Sequence, residues 1–226
     1  MPTLTSRLSH VWTTDCRLSV FLALLIVAVF ILSPLADDEG PLLTSVGFSF
    51  LLISGVALVA KNRVTRGLVA ATAAAALGIH WMQHAVPGTG VASLSAFSSL
   101  IFLALLAGIV LLEVFQKGPI TLHRIQGAVA VYLLFGLIWA FAYDLVLLQA
   151  SNAFQSAELT IHHSALTPTL IYFSFSTLTT VGYGDITPLH PMARSLAMLE
   201  ALVGQLFPTI LIARLVAMEL HVRQSR

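Results

Sequence analysis

Charge is scarce in this chain. Only 9% of its 226 residues are Asp, Glu, Lys or Arg, whereas a soluble domain carries about 25%. With 58% hydrophobic residues and a mean hydropathy of +0.92, the composition excludes a soluble globular or disordered protein and points to lipid. Cysteine is nearly absent. The one residue, Cys16, cannot form an intrachain disulfide, falls on the cytoplasmic side of the topology derived below, and is expected to be inert. There is no internal repeat, no low-complexity segment and no polar stretch long enough for a soluble domain. No nucleophile has a histidine base, and no phosphate loop or metal cluster is apparent, so the chain does not read as an enzyme. Little chain follows the last apolar run, so no nucleotide- or calcium-binding domain is expected there.

What is present is a series of apolar runs. A spanning helix needs about 20 largely apolar residues, and six candidates lie near 18–36, 42–60, 67–86, 91–115, 124–149 and 191–217. A seventh run, 168–179, is too short to cross and is expected to enter and leave on one side. Basic residues favour the cytoplasmic face. With the N-terminus inside, Arg7, Arg17, Lys61, Arg63, Arg66, Lys117, Arg124, Arg214, Arg223 and Arg226 all lie inside, and only Arg194 lies outside. The acidic cluster Asp37-Asp38-Glu39, with Glu158 and Asp185, lies outside. The first run resembles a secretory leader, but its core from Val20 to Leu32 is long and Ser33-Pro34-Leu35-Ala36 is a poor cleavage site. It is read as a retained helix. Gly118 and Pro119 divide the chain into a four-helix unit, 1–118, and a second module, 119–226.

Residues 177 to 185 read Thr-Leu-Thr-Thr-Val-Gly-Tyr-Gly-Asp. Gly182 and Gly184 permit backbone angles that a side chain disfavours, so that successive carbonyls can point the same way. Val181 and Tyr183 alternate with them and are expected to turn their side chains into packing. In Thr177, Thr180, Gly182, Tyr183 and Gly184 the stretch resembles the Thr-x-x-Thr-x-Gly-Tyr-Gly signature of tetrameric potassium channels. The resemblance is specific over roughly 165–217 and only architectural before 119. It implies an all-α integral membrane protein with six transmembrane helices, a re-entrant pore helix and a selectivity-filter loop. It also implies K+ held by oxygens of Thr180, Val181, Gly182, Tyr183 and Gly184 in a homotetramer embedded in membrane lipid. The Thr180 hydroxyl would be the innermost ligand. Neither an organic cofactor nor a nucleic-acid partner is implied.

The second module reads as outer helix 124–149, pore helix 168–179, filter 180–185 and inner helix 191–217. Thr167-Pro168 is a helix start, with a hydroxyl N-cap and a proline in the first turn. Ser176, Thr177, Thr179 and Asp185 support the filter. Tyr172 and Phe173 stand where the family often has aromatic residues around the filter tyrosine. Tyr172 is expected to reach Tyr183, whereas Phe173, lacking a hydroxyl, reads as core. Some family members carry an acid at the position of Ser176, and a serine cannot make the same charged contact with Asp185. Gly204 lies nineteen residues after Asp185, a spacing resembling the family's inner-helix hinge. Pro208 removes the amide that would pair with the Gly204 carbonyl, so a bend is expected there. Gln205 is read as facing the water-filled cavity, with packing against a neighbouring helix as the alternative.

Glu200 is a carboxyl inside the inner helix. Two readings stand: it tunes the filter through Ser176 or Thr177, or it is a neutral acid satisfied by a neighbouring helix. Asp144 is placed at the interface. His162, His163 and His190 lie near the outer mouth, where external acid could reach them. His80 and His84 have metal-ligand spacing but lack further ligands. Residues 91 to 115 contain no Lys or Arg, so the fourth helix cannot act as an arginine voltage sensor. The chain is expected to conduct K+ passively across a plasma membrane with both termini cytoplasmic. A weakly selective cation channel and a non-conducting pore-loop protein with an assembly or regulatory role are the alternatives. A dimeric channel with two pore loops per chain is excluded by the single motif.

Overall fold

The computed structural model describes residues 18–32, 41–58, 63–86, 88–115, 122–155 and 168–224. Helices dominate: α1 (Leu18–Ile31), α2 (Pro41–Leu58), α3 (Arg63–Ala85), α4 (Thr89–Val114), α5 (Leu122–Gln149), α6 (Pro168–Leu178) and α7 (Pro191–Gln224). The last turn of α1 widens into a π-helix over Ala28–Leu32. Three helices, α2, α6 and α7, begin on proline, which has no amide to leave unpaired and a φ already suited to a helix.

Among the described residues, three helical segments are long and apolar enough to cross a membrane: Thr89–Val114, Arg124–Gln149 and Pro191–Arg214. The apolar parts of α1 and α2, Leu18–Ile31 and Ser45–Ala57, are shorter, so six full spans are not what the described residues present. The helix α3 begins at Arg63 rather than 67, because Arg63 and Arg66 continue the helix ahead of its apolar part. At the other end α7 continues to Gln224, past the expected 217, since a helix does not stop where its apolar face does. Cys16, Arg7, Arg17, Lys61, Lys117, Arg226, the Asp37–Glu39 cluster, the Gly118-Pro119 break, Glu158, His162, His163 and Thr167 lie outside the described residues.

The helix α4 packs on α3 and, most extensively, on α5; α6 wedges between α5 and α7. One apolar core runs through α1 to α5, with Phe21, Leu25, Leu52, Phe102, Leu103, Leu106 and Leu134 fully covered. A second, smaller core gathers Tyr143, Leu147, Phe154, Leu170, Phe173, Ile186 and Ala193 around the first half of α6. The expectation of an all-α chain needs one amendment. Strands β1 (Phe154–Gln155) and β2 (Thr187–Pro188) pair antiparallel, Phe154 opposite Pro188 and Gln155 opposite Thr187. Ala153 O also accepts from Leu189 N (2.8 Å) and His190 N (3.1 Å). The chain entering and the chain leaving the α6 region meet here, and their backbone groups satisfy each other.

Candidate functional site

The stretch after α6 has an alternating backbone. Thr180 (φ 60°), Gly182 (φ 55°) and Gly184 (φ 84°) are left-handed, while Val181 and Tyr183 between them are not. Left-handed backbone is rare for a β-branched residue, so Thr180 is held there by its surroundings. Its hydroxyl donates to Thr179 O (2.7 Å) and accepts from Gln205 Nε2 (3.0 Å).

The amides of this stretch turn back onto the end of α6. Thr180 N donates to Thr177 O (2.9 Å), and Val181 N (2.9 Å) and Gly182 N (3.2 Å) both donate to Ser176 O. Thr179 pairs with Phe175 O through both its amide (3.0 Å) and its hydroxyl (2.7 Å). The carbonyls of Thr180, Val181, Gly182 and Tyr183 are treated differently: among the described residues none accepts a hydrogen bond. Residues 179–185 are all exposed in the single chain. The first three amides of the stretch are thus satisfied by the end of α6, while a run of carbonyls stays bare, the arrangement that suits a cation.

The supports expected from the sequence take up distinct places. Tyr172 and Tyr183 stack face to face, ring centroids 6.2 Å apart and 5° from parallel. The Tyr172 phenol pairs not with Tyr183 but with the Asp185 carboxylate, and that hydrogen bond raises the phenol above its ordinary pKa. Asp185 also accepts from Ile186 N (3.1 Å) through Oδ1. A tyrosine thus occupies the carboxylate of Asp185. Phe173 is buried in an edge-to-face cluster, 4.9 Å from Tyr143 and 5.3 Å from Phe154. Val181 and Tyr183 remain exposed, so the expected cover for their side chains is not supplied within one chain.

Gly204 has a role that its spacing did not disclose. A Cβ there would stand 1.9 Å from Leu178 O, so the inner helix touches the end of α6 backbone to backbone. The same carbonyl accepts from Tyr132 Oη of α5 (3.3 Å). The helix α7 is continuous through Gly204 and Pro208. Gly136 in α5 plays a matching part, since a Cβ there would lie 2.5 Å from the Phe175 ring. Close approach at these two glycines seats α6 against both long helices.

Glu200 is fully buried. Its carboxyl meets Ser174 Oγ (2.6 Å) and the Tyr143 hydroxyl, rather than Ser176 or Thr177. Ser174 shares a face of α6 with Leu170 and Phe173, both buried. Ser176 and Thr177 instead offer their carbonyls to filter amides. Among the outer residues, His190 Nδ1 accepts from Met192 N (3.3 Å) at the start of α7, and Arg194 Nε donates to Pro188 O (3.0 Å). Asp144 is half-buried. His80 is buried beside Phe48, and no group of three or more His, Cys, Asp or Glu that could hold a metal is found among the described residues. At the inner end, Arg214 lies over the Phe115 ring (4.4 Å) and donates to Phe115 O (2.6 Å), tying α7 to the end of α4. No local pattern marks that pair, whose members lie 99 residues apart.

Comparison with known proteins places this site in context. A family model described as "Ion channel" matches residues 127–220, which cover most of α5, α6, the filter stretch and α7. That match supports an ion-channel pore domain. A 46-residue stretch is 46% identical to Protein LctB of Bacillus caldotenax, covering 20% of this chain and 34% of that protein. The match thus spans about a third of that relative's length. No solved structure matches.

Proposed function

We propose that four copies of this chain form a potassium-selective channel, with residues 180–184 of each copy lining one side of the filter. The observation that carries this reading is the left-handed alternation at Thr180, Gly182 and Gly184, together with the unclaimed carbonyls from Thr180 to Tyr183. Potassium gives up its water only where protein oxygens replace it, and rings of backbone carbonyls do so. One strand reaches an ion from one side only, so the ring requires further copies. The exposure of α7 is in keeping with further copies beside it: 11% of its membrane segment is buried, against 44% for α4 and 50% for α5.

In this assembly the C-terminal end of each α6 points toward the ion path and contributes partial negative charge there. Gln205 borders the cavity beneath Thr180, and Gly204 with Pro208 forms the weak turn at which the lower α7 swings. Ions in neighbouring sites repel, so binding does not become a trap. Conduction is passive and lacks an arginine sensor, since α4 has no Lys or Arg. The charge distribution favours a plasma membrane location with both termini inside.

Current through planar bilayers under a potassium-to-sodium gradient tests the reading. The expected reversal potential is close to the potassium equilibrium value, and Gly182→Asp abolishes the current. A reversal near zero would replace it with a weakly selective pore. A silent protein that assembles normally would leave an assembly role.

A further inference from the structure

Behind the filter, three buried polar contacts need three hydrogens, and ordinary ionisation supplies two. The contacts are Tyr143 Oη with Glu200, Ser174 Oγ with Glu200 Oε1 (2.6 Å), and Ser174 Oγ with Gly136 O (2.7 Å). A phenol carries one hydrogen, a serine hydroxyl carries one, and a carboxylate and a carbonyl carry none. The Gly136 carbonyl only accepts, so it takes the Ser174 hydrogen. The remaining contact, between Ser174 and Glu200, closes only if the acid brings its own.

We propose that Glu200 is a neutral carboxylic acid whose hydrogen completes a donor chain from Tyr143 to Glu200 to Ser174 to Gly136 O, and that through this chain it positions the filter. Tyr143, Ser174 and Glu200 are all fully buried, and an unpaired carboxylate at such a site is strongly disfavoured. No basic side chain among the described residues pairs with Glu200: Arg194 engages Pro188 O, and Arg214 engages Phe115. The other titratable groups facing it are Tyr143 and Tyr132, both phenols of α5; Asp185 is engaged by Tyr172 and Ile186 N. From α6 only Ser174 reaches it.

The chain joins three helices at one point: Tyr143 and Gly136 on α5, Ser174 on α6 and Glu200 on α7. Ser174 lies two residues before Ser176, whose carbonyl receives the amides of Val181 and Gly182. A shift of α6 at Ser174 therefore moves the filter amides with it. All donors point in one sense along the chain, the arrangement in which successive hydrogen bonds reinforce one another.

The filter role rests on the proposed conduction, but the protonation and the fastening of α6 do not. Glu200→Gln keeps all three contacts, because an amide N–H faces Ser174 and the amide oxygen accepts from Tyr143. Infrared difference spectra of the full chain in lipid, wild type minus E200Q, are taken at about pH 7, above the ordinary glutamate pKa near 4.3. They should show a protonated-carboxyl stretch that the substitution removes; carboxylate bands in its place overturn the proposal. In thermal melts E200Q should follow the wild type, with E200A and S174A melting lower. An E200Q that melts with E200A, or does not fold, overturns it as well. These two readouts decide the protonation and the fastening of α6 even for a protein that carries no current. In bilayers, E200Q should keep the potassium-to-sodium permeability ratio within about twofold and E200A should lower it about tenfold. An unchanged ratio in a conducting E200A removes the positioning role.

Discussion

The helices α4 and α7 are both long, apolar and of membrane-spanning length, yet their surroundings differ sharply. The helix α4 is clasped between α3 and α5, and its Phe102, Leu103 and Leu106 are fully covered. The helix α7 leaves Met198, Leu199, Leu202, Leu206, Ile210 and Ile212 exposed, while its buried Glu200 meets α5 and α6 and its exposed Gln205 meets Thr180. In one chain, α4 lies inside a filled core, whereas α7 is covered on one side only. The difference teaches which helix one chain covers by itself: α4 is enclosed by its neighbours, whereas one side of α7 and the filter stretch stay open.

Two glycines give the hardest test of that contrast. Gly204→Ala puts a methyl group into Leu178 O and separates α7 from α6; we expect a loss of about 3 kcal/mol or more and no assembled tetramer by crosslinking. Gly108→Ala in α4 meets nothing within 4 Å and should leave stability unchanged or raise it by about 0.5–1 kcal/mol, read from thermal melts. Equal losses at the two sites would erase the distinction drawn here.

A middling effect is expected at Gly136→Ala, where the obstacle is the Phe175 ring rather than backbone. An aromatic ring can shift, so the cost should fall to about 1–3 kcal/mol, with partial recovery in Gly136→Ala/Phe175→Leu. A double variant no better than the single one would show that the ring is not what the glycine accommodates.

The smallest effect sharpens the join between the two units. Arg214→Ala removes a charge-assisted hydrogen bond and a ring contact from an exposed side chain, so stability should change by no more than about 1 kcal/mol. If the upstream unit acts on the pore through this tie, open probability should change in single-channel records while the potassium-to-sodium ratio stays constant. A changed ratio would place Arg214 in the conduction path instead.

Much of the site was legible in the chain because its signals are local. The filter pattern, the short apolar run of α6 and its start at Pro168 each lie within a few residues, and the backbone answers to them directly. Glu200 stood out as an acid in an apolar helix, but its partners did not. Ser174 and Tyr143 are 26 and 57 residues away, and nothing in a helical repeat tells which neighbour a face will meet. Gly204 was noticed for a hinge spacing, while its contact with Leu178 O arises only when α6 is seated. Tyr172 similarly met Asp185, because the turn after Gly184 brings the carboxylate back beside α6.

By itself the sequence determined that this chain lives in lipid, which runs become helices, and that the backbone turns left-handed at Gly182 and Gly184. Composition, periodicity and glycine placement act over one or two turns and need no knowledge of neighbours. Only the tertiary structure decided which carbonyls stay bare, which buried polar groups meet, and which apolar face stays uncovered. Those outcomes depend on distances between elements far apart in the chain, and such distances exist only once the helices have packed.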